Sequence, residues 1–318
     1  MSFYGNAHRS KLHRSSNDWN PQQPLGVIAR VKHVLAWGFL SFVALYAGVI
    51  LLVWAFQEQV VFQPPRVGPT ALETAQRVRY RASDGAELFA YLVGECRPGA
   101  TMMIAFHGNA DVARWFVPWA SKAAQSTGVC VMLPEYRGYD GLAGAPSYEA
   151  SARDARAALE YARDALQVPP DSLVFFGYSL GSAIAAELAA YSRPRTLVLQ
   201  APFSSMRAMT ARMYVPGLQL FFRMITRVHF NTLALVRALP TQVWVAHGDR
   251  DRVVPLQMGQ QVFEAAAHRG ELLIVRGAGH TDLPEVAGPA YWSWLANAVR
   301  PNPPGGGREI AVGSRSAP

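Results

Sequence analysis

Residues of the three types that serine hydrolysis needs occur at separate places in this sequence. Ser179 lies in GYSLG at 177–181, which fits the pattern G-x-S-x-G, and His280 follows a short GAG loop further along the chain. Between them, HGDRD at 247–251 offers two aspartates. A serine hydroxyl becomes a good nucleophile only when a base takes its proton and a carboxylate orients that base. The set therefore predicts attack by Ser179 on a carbonyl group.

The surroundings of the GYSLG pattern matter, because the pattern alone is weak evidence in a chain with 26 glycines. The run LVFF before it is typical of a strand, and LGSAIAAELAAY after it is typical of a helix. Ser179 would then occupy a sharp strand-to-helix turn, where only small neighbours fit. A serine that merely caps the helix is the alternative, and it explains the serine but not both glycines.

The elements that would position these residues alternate along the chain after residue 56. A predicted hairpin, VRYRA and LFAYLV, is followed by buried runs such as TMMIAF and TLVLQ that are separated by amphipathic helices. This order predicts a mostly parallel sheet with helices on both faces. In such sheets the functional residues gather at the carboxyl ends of the strands.

Five stretches make the chain similar to a known family. It resembles the membrane-anchored α/β-hydrolases, in the branch that contains lysophospholipid lipases and protein depalmitoylases. The matching stretches are FHGNA at 106–110, EYRGYDGLAGAPS at 135–147, GYSLG at 177–181, HGDRDRVVP at 247–255 and GAGH at 277–280. The resemblance covers about residues 70–299 and implies an α/β-hydrolase fold. It also implies that Asp251 is the triad acid and that Asp249 is a turn residue.

The resemblance further implies an oxyanion hole made of backbone N–H groups. One donor would be Leu180, the residue after the nucleophile. The other would come from the turn after MMIAF, and we assign it to the amide of Asn109, with Ala110 as the alternative. We expect His107 and His247, which each precede a glycine, to form structural hydrogen bonds, since one general base suffices.

An apolar segment precedes the predicted hydrolase domain. Residues 34–56 contain no charged side chain and are long enough to cross a bilayer as a helix. A signal peptide, the alternative, would have a shorter apolar region and a small-residue cleavage site. Arg30, Lys32 and His33 lie before the segment and Arg66 follows it, so we expect a cytoplasmic N-terminus and a hydrolase domain on the opposite side of the membrane.

The chain is thus divided into four parts: a disordered basic segment 1–33, an anchor 34–56, a hydrolase domain 57–300 and a disordered tail 301–318. The formal net charge of +8 lies mainly in the two end segments, which argues against a nucleic-acid partner. Cys130 lies in an apolar run and is expected to be a buried core residue. A disulfide with Cys96 is compatible with the sequence but is not indicated by spacing.

A short cap is predicted at about 204–241. It is rich in Met, Phe and Leu, and Arg207, Arg212, Arg223 and Arg227 are interleaved with these apolar residues. An apolar wall beside arginines would suit an acyl chain with an anionic headgroup or a membrane surface. A helix that packs its apolar side on the domain, with the arginines in solvent, explains the pattern equally well.

The sequence therefore predicts a serine hydrolase that cleaves carboxylic ester or thioester bonds through an acyl-enzyme. Two alternatives stay open: a serine peptidase on the same fold, and a non-catalytic binding protein that keeps the fold. No metal or organic cofactor is expected, because no histidine pair has metal-ligand spacing and no glycine loop is of the phosphate-binding kind. The expected partners are a small-molecule or lipid acyl substrate and the membrane.

Overall fold

A computed structural model describes residues 23–67, 75–212, 226–301 and 306–313 of the chain. The chain divides into two compact units, Met1–Leu52 and Val53–Pro318. The second unit contains all nine described strands and the residues of the candidate site.

The first helix, α1, runs from Gln23 to Val61 and is 39 residues long. Its stretch Gly26–Val61 is, among the described helices, the only one that is long and apolar enough to cross a membrane. The helix extends beyond the predicted 34–56 segment at both ends, so residues 23–33, which we assigned to a disordered segment, are helical. The run after Gly26 contains no proline, and Pro24 falls in the first turn, where proline is tolerated.

The nine strands of the second unit form one sheet in the order β1-β2-β4-β3-β5-β6-β7-β8-β9. The first two strands form the predicted antiparallel hairpin, β2 pairs antiparallel with β4, and the other neighbours are parallel. The strands are β1 Gln76–Arg81, β2 Glu87–Val93, β3 Met102–Phe106, β4 Cys130–Pro134, β5 Leu173–Tyr178, β6 Thr196–Gln200, β7 Gln242–Gly248, β8 His268–Val275 and β9 Arg308–Val312. The sequence prediction of a mostly parallel sheet is confirmed.

Helices cover both faces of this sheet. They are α2 Ala113–Thr127, α3 Tyr148–Asp164, α4 Leu180–Ser192, α5 Met206–Thr210, α6 Thr232–Ala238, α7 Leu256–Ala265, α8 Leu283–Ala287 and α9 Pro289–Val299. Alternate side chains of each central strand enter opposite cores: Ile104 packs with α3 and α4, whereas Met103 packs with α2 and α9. Every residue of β3 is buried, which explains its continuous apolar run.

Residues Arg308–Val312 form a strand, so the prediction of disorder over 301–318 is wrong for these residues. Strand β9 pairs parallel with β8 at the edge of the sheet. Ile310 and Val312 pack on the core, and the Arg308 guanidinium donates to the Glu271 carboxylate at 2.6 Å. The alternation of side chains with period two in REIAV indicates a strand, but the proline and glycine content around it favoured the prediction of disorder.

A disulfide joins Cys96, in the loop after β2, to Cys130, the first residue of β4. Cys130 is fully buried, as expected of a core residue, and its sulfur is also bonded. The bond closes a loop over a sequence separation of 34 residues. It therefore ties the antiparallel edge of the sheet to the parallel strands.

Candidate active site

Ser179 stands at the turn between β5 and α4. Its backbone angles, φ 52° and ψ −114°, lie in a region that non-glycine residues rarely adopt. The turn brings backbone segments so close that a Cβ at Gly177 would collide with the carbonyl oxygen of Gly181. A Cβ at Gly181 would in turn collide with the carbonyl oxygen of Phe106 in β3. Both glycines are therefore required by close approach, which the helix-capping alternative does not explain.

A chain of hydrogen bonds connects Ser179 with the other two predicted residues. The Nε2 atom of His280 is 2.9 Å from the Ser179 hydroxyl oxygen. Its Nδ1 atom is 2.7 Å from Oδ2 of Asp251. The loop after β8 carries His280 and the loop after β7 carries Asp251, so residues from the carboxyl ends of β5, β7 and β8 meet at this point. Asp249 faces elsewhere and accepts a hydrogen bond from the amide of Gly277 at 2.7 Å.

The Asp251 carboxylate is fully buried and has hydrogen-bond donors on both oxygens. Oδ1 accepts the backbone N–H groups of Val253 and Val254, each at 2.8 Å. Burial alone would raise the pKa of Asp251, but hydrogen bonds from His247 and His280 and from the Val254 amide hold it well below its ordinary value. The group is therefore an anion at neutral pH and can hold a protonated imidazole.

The two other histidines at strand ends make structural contacts. The Nε2 atom of His247 is 2.9 Å from the carbonyl oxygen of Val254. This contact stabilises the loop that carries the Asp251 carboxylate. His107 is fully buried, and its Nε2 is 3.0 Å from the carboxylate of Glu135. Burial would lower the pKa of His107, but the charge and hydrogen bond of Glu135 raise it above the ordinary value.

The two predicted oxyanion donors come from the start of α4 and from the loop after β3. Leu180 begins α4, so its N–H has no partner within the helix. Asn109 follows β3, and its side-chain oxygen accepts from the backbone N–H of Gln63 at 2.9 Å and from the Tyr139 hydroxyl at 3.0 Å. Leu180, Asn109 and Ser179 line the same cavity. The alternative donor, Ala110, does not contribute to that lining and has a positive φ of 53°.

Sequence reasoning missed the residues that support the loop after β3. Besides contacting His107, the Glu135 carboxylate accepts the N–H of Ala113 at 2.9 Å, at the start of α2. The Tyr136 hydroxyl donates to the carbonyl oxygen of His107 at 2.9 Å. A glutamate directly after a fully apolar strand was the available signal, because an unpaired buried carboxylate is very costly.

A cavity of about 290 Å³ opens beside Ser179. Most of its lining is apolar, from Val60, Val61, Phe203, Met206, Met209 and Val253. Two of these, on α5, belong to the predicted cap, of which 213–225, including Arg223, lies outside the described residues. A larger depression of about 670 Å³ lies beside the β1–β2 hairpin, but no triad residue lines it. Among the described residues, no cluster of His, Cys, Asp or Glu could hold a metal ion.

Known proteins resemble this chain over most of its length. A Mycobacterium tuberculosis protein, Uncharacterized protein Rv2307c, is 32% identical over 259 residues, which are 79% of this chain and 90% of that protein. The Alpha/beta hydrolase domain-containing protein WAV2 of Arabidopsis thaliana is 28% identical over 286 residues, covering 81% and 91%. This chain belongs to the α/β-hydrolase family. A family model described as serine aminopeptidase, S33, matches residues 98–240 of this hydrolase.

Solved structures resemble the hydrolase in fold. The esterase Pf2001 of Pyrococcus furiosus superposes with a TM-score of 0.59 at 17% identity, covering 74% of this chain and 95% of the esterase. An acetyl xylan esterase from Paenibacillus sp. R4 gives a TM-score of 0.54 at 17% identity, covering 77% and 92%. At this identity the likeness concerns the fold alone.

Proposed function

We propose that this α/β-hydrolase is a serine hydrolase that cleaves carboxylic ester or thioester bonds through an acyl-enzyme. The observation that carries the proposal is the hydrogen-bonded series Ser179–His280–Asp251, with its serine on a strained turn beside an apolar cavity. A nucleophile, a base and an orienting carboxylate in this geometry are what acyl transfer to a serine requires.

The steps follow from the positions of the atoms. The Ser179 hydroxyl oxygen attacks the carbonyl carbon while Nε2 of His280 takes its proton, and the Asp251 carboxylate stabilises the imidazolium that forms. The N–H groups of Leu180 and Asn109 donate to the oxyanion of the tetrahedral intermediate. His280 then gives the proton to the departing alcohol or thiol, which leaves an acyl-serine. Water, deprotonated by the same imidazole, attacks the acyl-serine; His280 then returns the proton to the Ser179 oxygen as the free acid leaves.

The acyl part of the substrate would occupy the cavity beside Ser179. Its aliphatic and methionine lining favours an apolar chain, and methionine side chains adapt their shape to different chains. This supports an acyl lipid or an acylated molecule as substrate, the class expected of a lysophospholipid lipase or protein depalmitoylase.

A serine peptidase is the second candidate, favoured by the aminopeptidase description of the matching family model. An aminopeptidase binds a positively charged amine, for which a carboxylate in the cavity would be the natural partner. The described lining of the cavity contains no Asp or Glu, so the ester hydrolase is the better-supported function.

Labelling with a fluorophosphonate probe tests the proposal directly. The detergent-solubilised full-length protein should gain one adduct by intact mass, whereas Ser179→Ala and His280→Ala should gain none. The wild type should then hydrolyse p-nitrophenyl acyl esters. A folded wild type that takes no label would instead support a non-catalytic binding protein, and turnover of aminoacyl amides alone would support the peptidase.

We also propose that α1 anchors the hydrolase with its N-terminus in the cytoplasm and its catalytic unit on the opposite side. The charge difference across the apolar segment supports this orientation. The disulfide between Cys96 and Cys130 supports it independently, because disulfides persist in oxidising compartments such as the bacterial periplasm. Cysteine-labelling or protease protection of intact cells would test the orientation.

A further inference from the structure

The last turns of α1 are built into the catalytic unit. The Gln57 side chain is only 3% exposed, and its oxygen accepts the backbone N–H of Arg227 at 2.7 Å. The Glu58 carboxylate accepts the backbone N–H of Tyr148 at 3.0 Å. Phe62, just after the helix, is 2% exposed and belongs to the main hydrophobic core. These contacts fix the end of the apolar helix against the hydrolase fold.

Between these fixed points, Val60 and Val61 form part of the wall of the cavity that contains Ser179. Two residues further on, the backbone N–H of Gln63 donates to the side-chain oxygen of Asn109. The backbone N–H of Asn109 is the proposed oxyanion donor. The end of α1 therefore contacts both the cavity for the acyl chain and the loop that would stabilise the oxyanion.

Chain length sets how far this wall can lie from the membrane. The predicted anchor ends at Phe56, four residues before Val60, and the first charged residue after it is Glu58. Four residues span at most about 14 Å when extended and about 6 Å in a helix. Residues 53–61 are helical, so the shorter length applies. An acyl chain at the membrane surface would thus reach the cavity wall with few of its CH₂ groups exposed to water. This matters because each exposed CH₂ group costs free energy.

We propose that Val60 and Val61 are specificity-determining residues and that the substrate is a long-chain acyl amphiphile drawn from the membrane that α1 spans. The proposal rests on the ester hydrolase function proposed above and extends it to a substrate class. The anchor would then do more than hold the enzyme at a membrane, because its final turn is part of the acyl site.

Chain-length selectivity tests the role of the two valines. The full-length protein in detergent would be assayed on p-nitrophenyl esters from acetate to palmitate, as wild type, Val60→Phe and Val61→Phe. A phenyl ring in the wall should lower the ratio of kcat/KM for palmitate to that for acetate at least tenfold. Gln59→Phe adds the same ring at an exposed neighbouring position outside the lining and should keep the wild-type ratio within twofold.

The outcomes separate the two proposals. If wild type hydrolyses esters but both phenylalanine variants keep its chain-length profile, the valines do not determine specificity, and the hydrolase function stands. If wild type hydrolyses no ester and takes no fluorophosphonate label, the function itself fails. Should the larger residues prevent folding, Val61→Ala enlarges the cavity and should shift the preference towards longer chains. An unchanged preference in that variant would overturn the inference.

Presentation of the substrate tests its source. The full-length wild type would be reconstituted into phosphatidylcholine vesicles, with p-nitrophenyl palmitate either in the same vesicles or in separate ones. We expect hydrolysis at least ten times faster when enzyme and ester share a vesicle. Equal rates in the two arrangements would overturn the membrane source, as would hydrolysis of short-chain esters without any of the palmitate.

Discussion

Replacing Asp251 by asparagine should disable the hydrolase through the tautomer of His280. The carboxylate uses Oδ1 to accept two backbone N–H groups, at Val253 and Val254, and Oδ2 to accept Nδ1–H of the imidazole. Asparagine has one oxygen and one NH₂ group for these two places. With the oxygen on the backbone amides, the NH₂ group faces Nδ1, so the ring proton moves to Nε2. The imidazole then has no lone pair for the proton of Ser179.

The opposite orientation of the asparagine is costly. It would direct the NH₂ group at two N–H donors and leave them without their acceptor, at about 1–3 kcal/mol for the buried Val254 N–H and less for that of the half-exposed Val253. At a total of about 3 kcal/mol, the orientation that keeps the imidazole competent is about a hundredfold less populated. Loss of the negative charge beside the imidazolium adds to this, so kcat/KM for esters should fall about 10³- to 10⁴-fold, as for similar changes in other triads.

Asp249→Asn is the matched control, because Asp249 accepts a single backbone N–H, from Gly277, and does not face His280. Its kcat/KM should stay within about threefold of wild type, as asparagine can still accept that bond. Steady-state ester hydrolysis and the rate of fluorophosphonate labelling would be measured for both variants, with circular dichroism to verify folding. The assignment of Asp251 as the triad acid would be refuted if kcat/KM of Asp251→Asn stayed within tenfold of wild type. It would also be refuted if kcat/KM of Asp249→Asn fell as far as that of Asp251→Asn.

Three further predictions concern stability. Replacing Cys96 and Cys130 by alanine opens the loop of 34 residues and should lower the free energy of unfolding by about 3–4 kcal/mol, which corresponds to a Tm lower by about 10 °C. A wild-type Tm that reductant does not change would contradict this prediction. The folded pKa of His107 is raised by Glu135, so its stabilisation is complete below the ordinary pKa of 6.5 and is lost as pH rises through the folded value. The Tm advantage of wild type over His107→Gln should therefore shrink between pH 6 and pH 9, and a growing advantage would reverse the sign of the argument. Gly177→Ala should lower the free energy of unfolding in urea by about 3 kcal/mol, because its Cβ meets a backbone carbonyl in the first turn of α4, and a change below about 0.5 kcal/mol would show that the turn can relax.

The sequence was informative wherever local pattern and chain order carry the signal. Alternation of apolar runs with helices predicted the parallel sheet, and the strand-to-helix context of Ser179 predicted its turn. The order of serine, aspartate and histidine predicted residues that the structure brings within hydrogen-bond distance. Spacing alone did not decide whether Asp249 or Asp251 is the triad acid, because both follow the same strand.

Features that depend on contacts distant in sequence were not predictable. The bond from Gln63 to Asn109 joins residues 46 apart, and nothing in either local sequence indicates it. The pairing of Cys96 with Cys130 needs the geometry of the sheet, which spacing does not give. Val60 and Val61 resemble any residues at the end of an apolar helix, and only the fold places them beside Ser179.

Strand β9 has a consequence for how the protein tolerates shortening. It lies along β8, the strand whose following loop carries His280, and the Arg276 N–H donates to the Val312 carbonyl at 2.7 Å. Removing the residues after 300 would leave the polar backbone edge of β8 open to pairing with another molecule. Such a shortened protein should self-associate through that edge. A fused tag should therefore leave β9 intact rather than replace it.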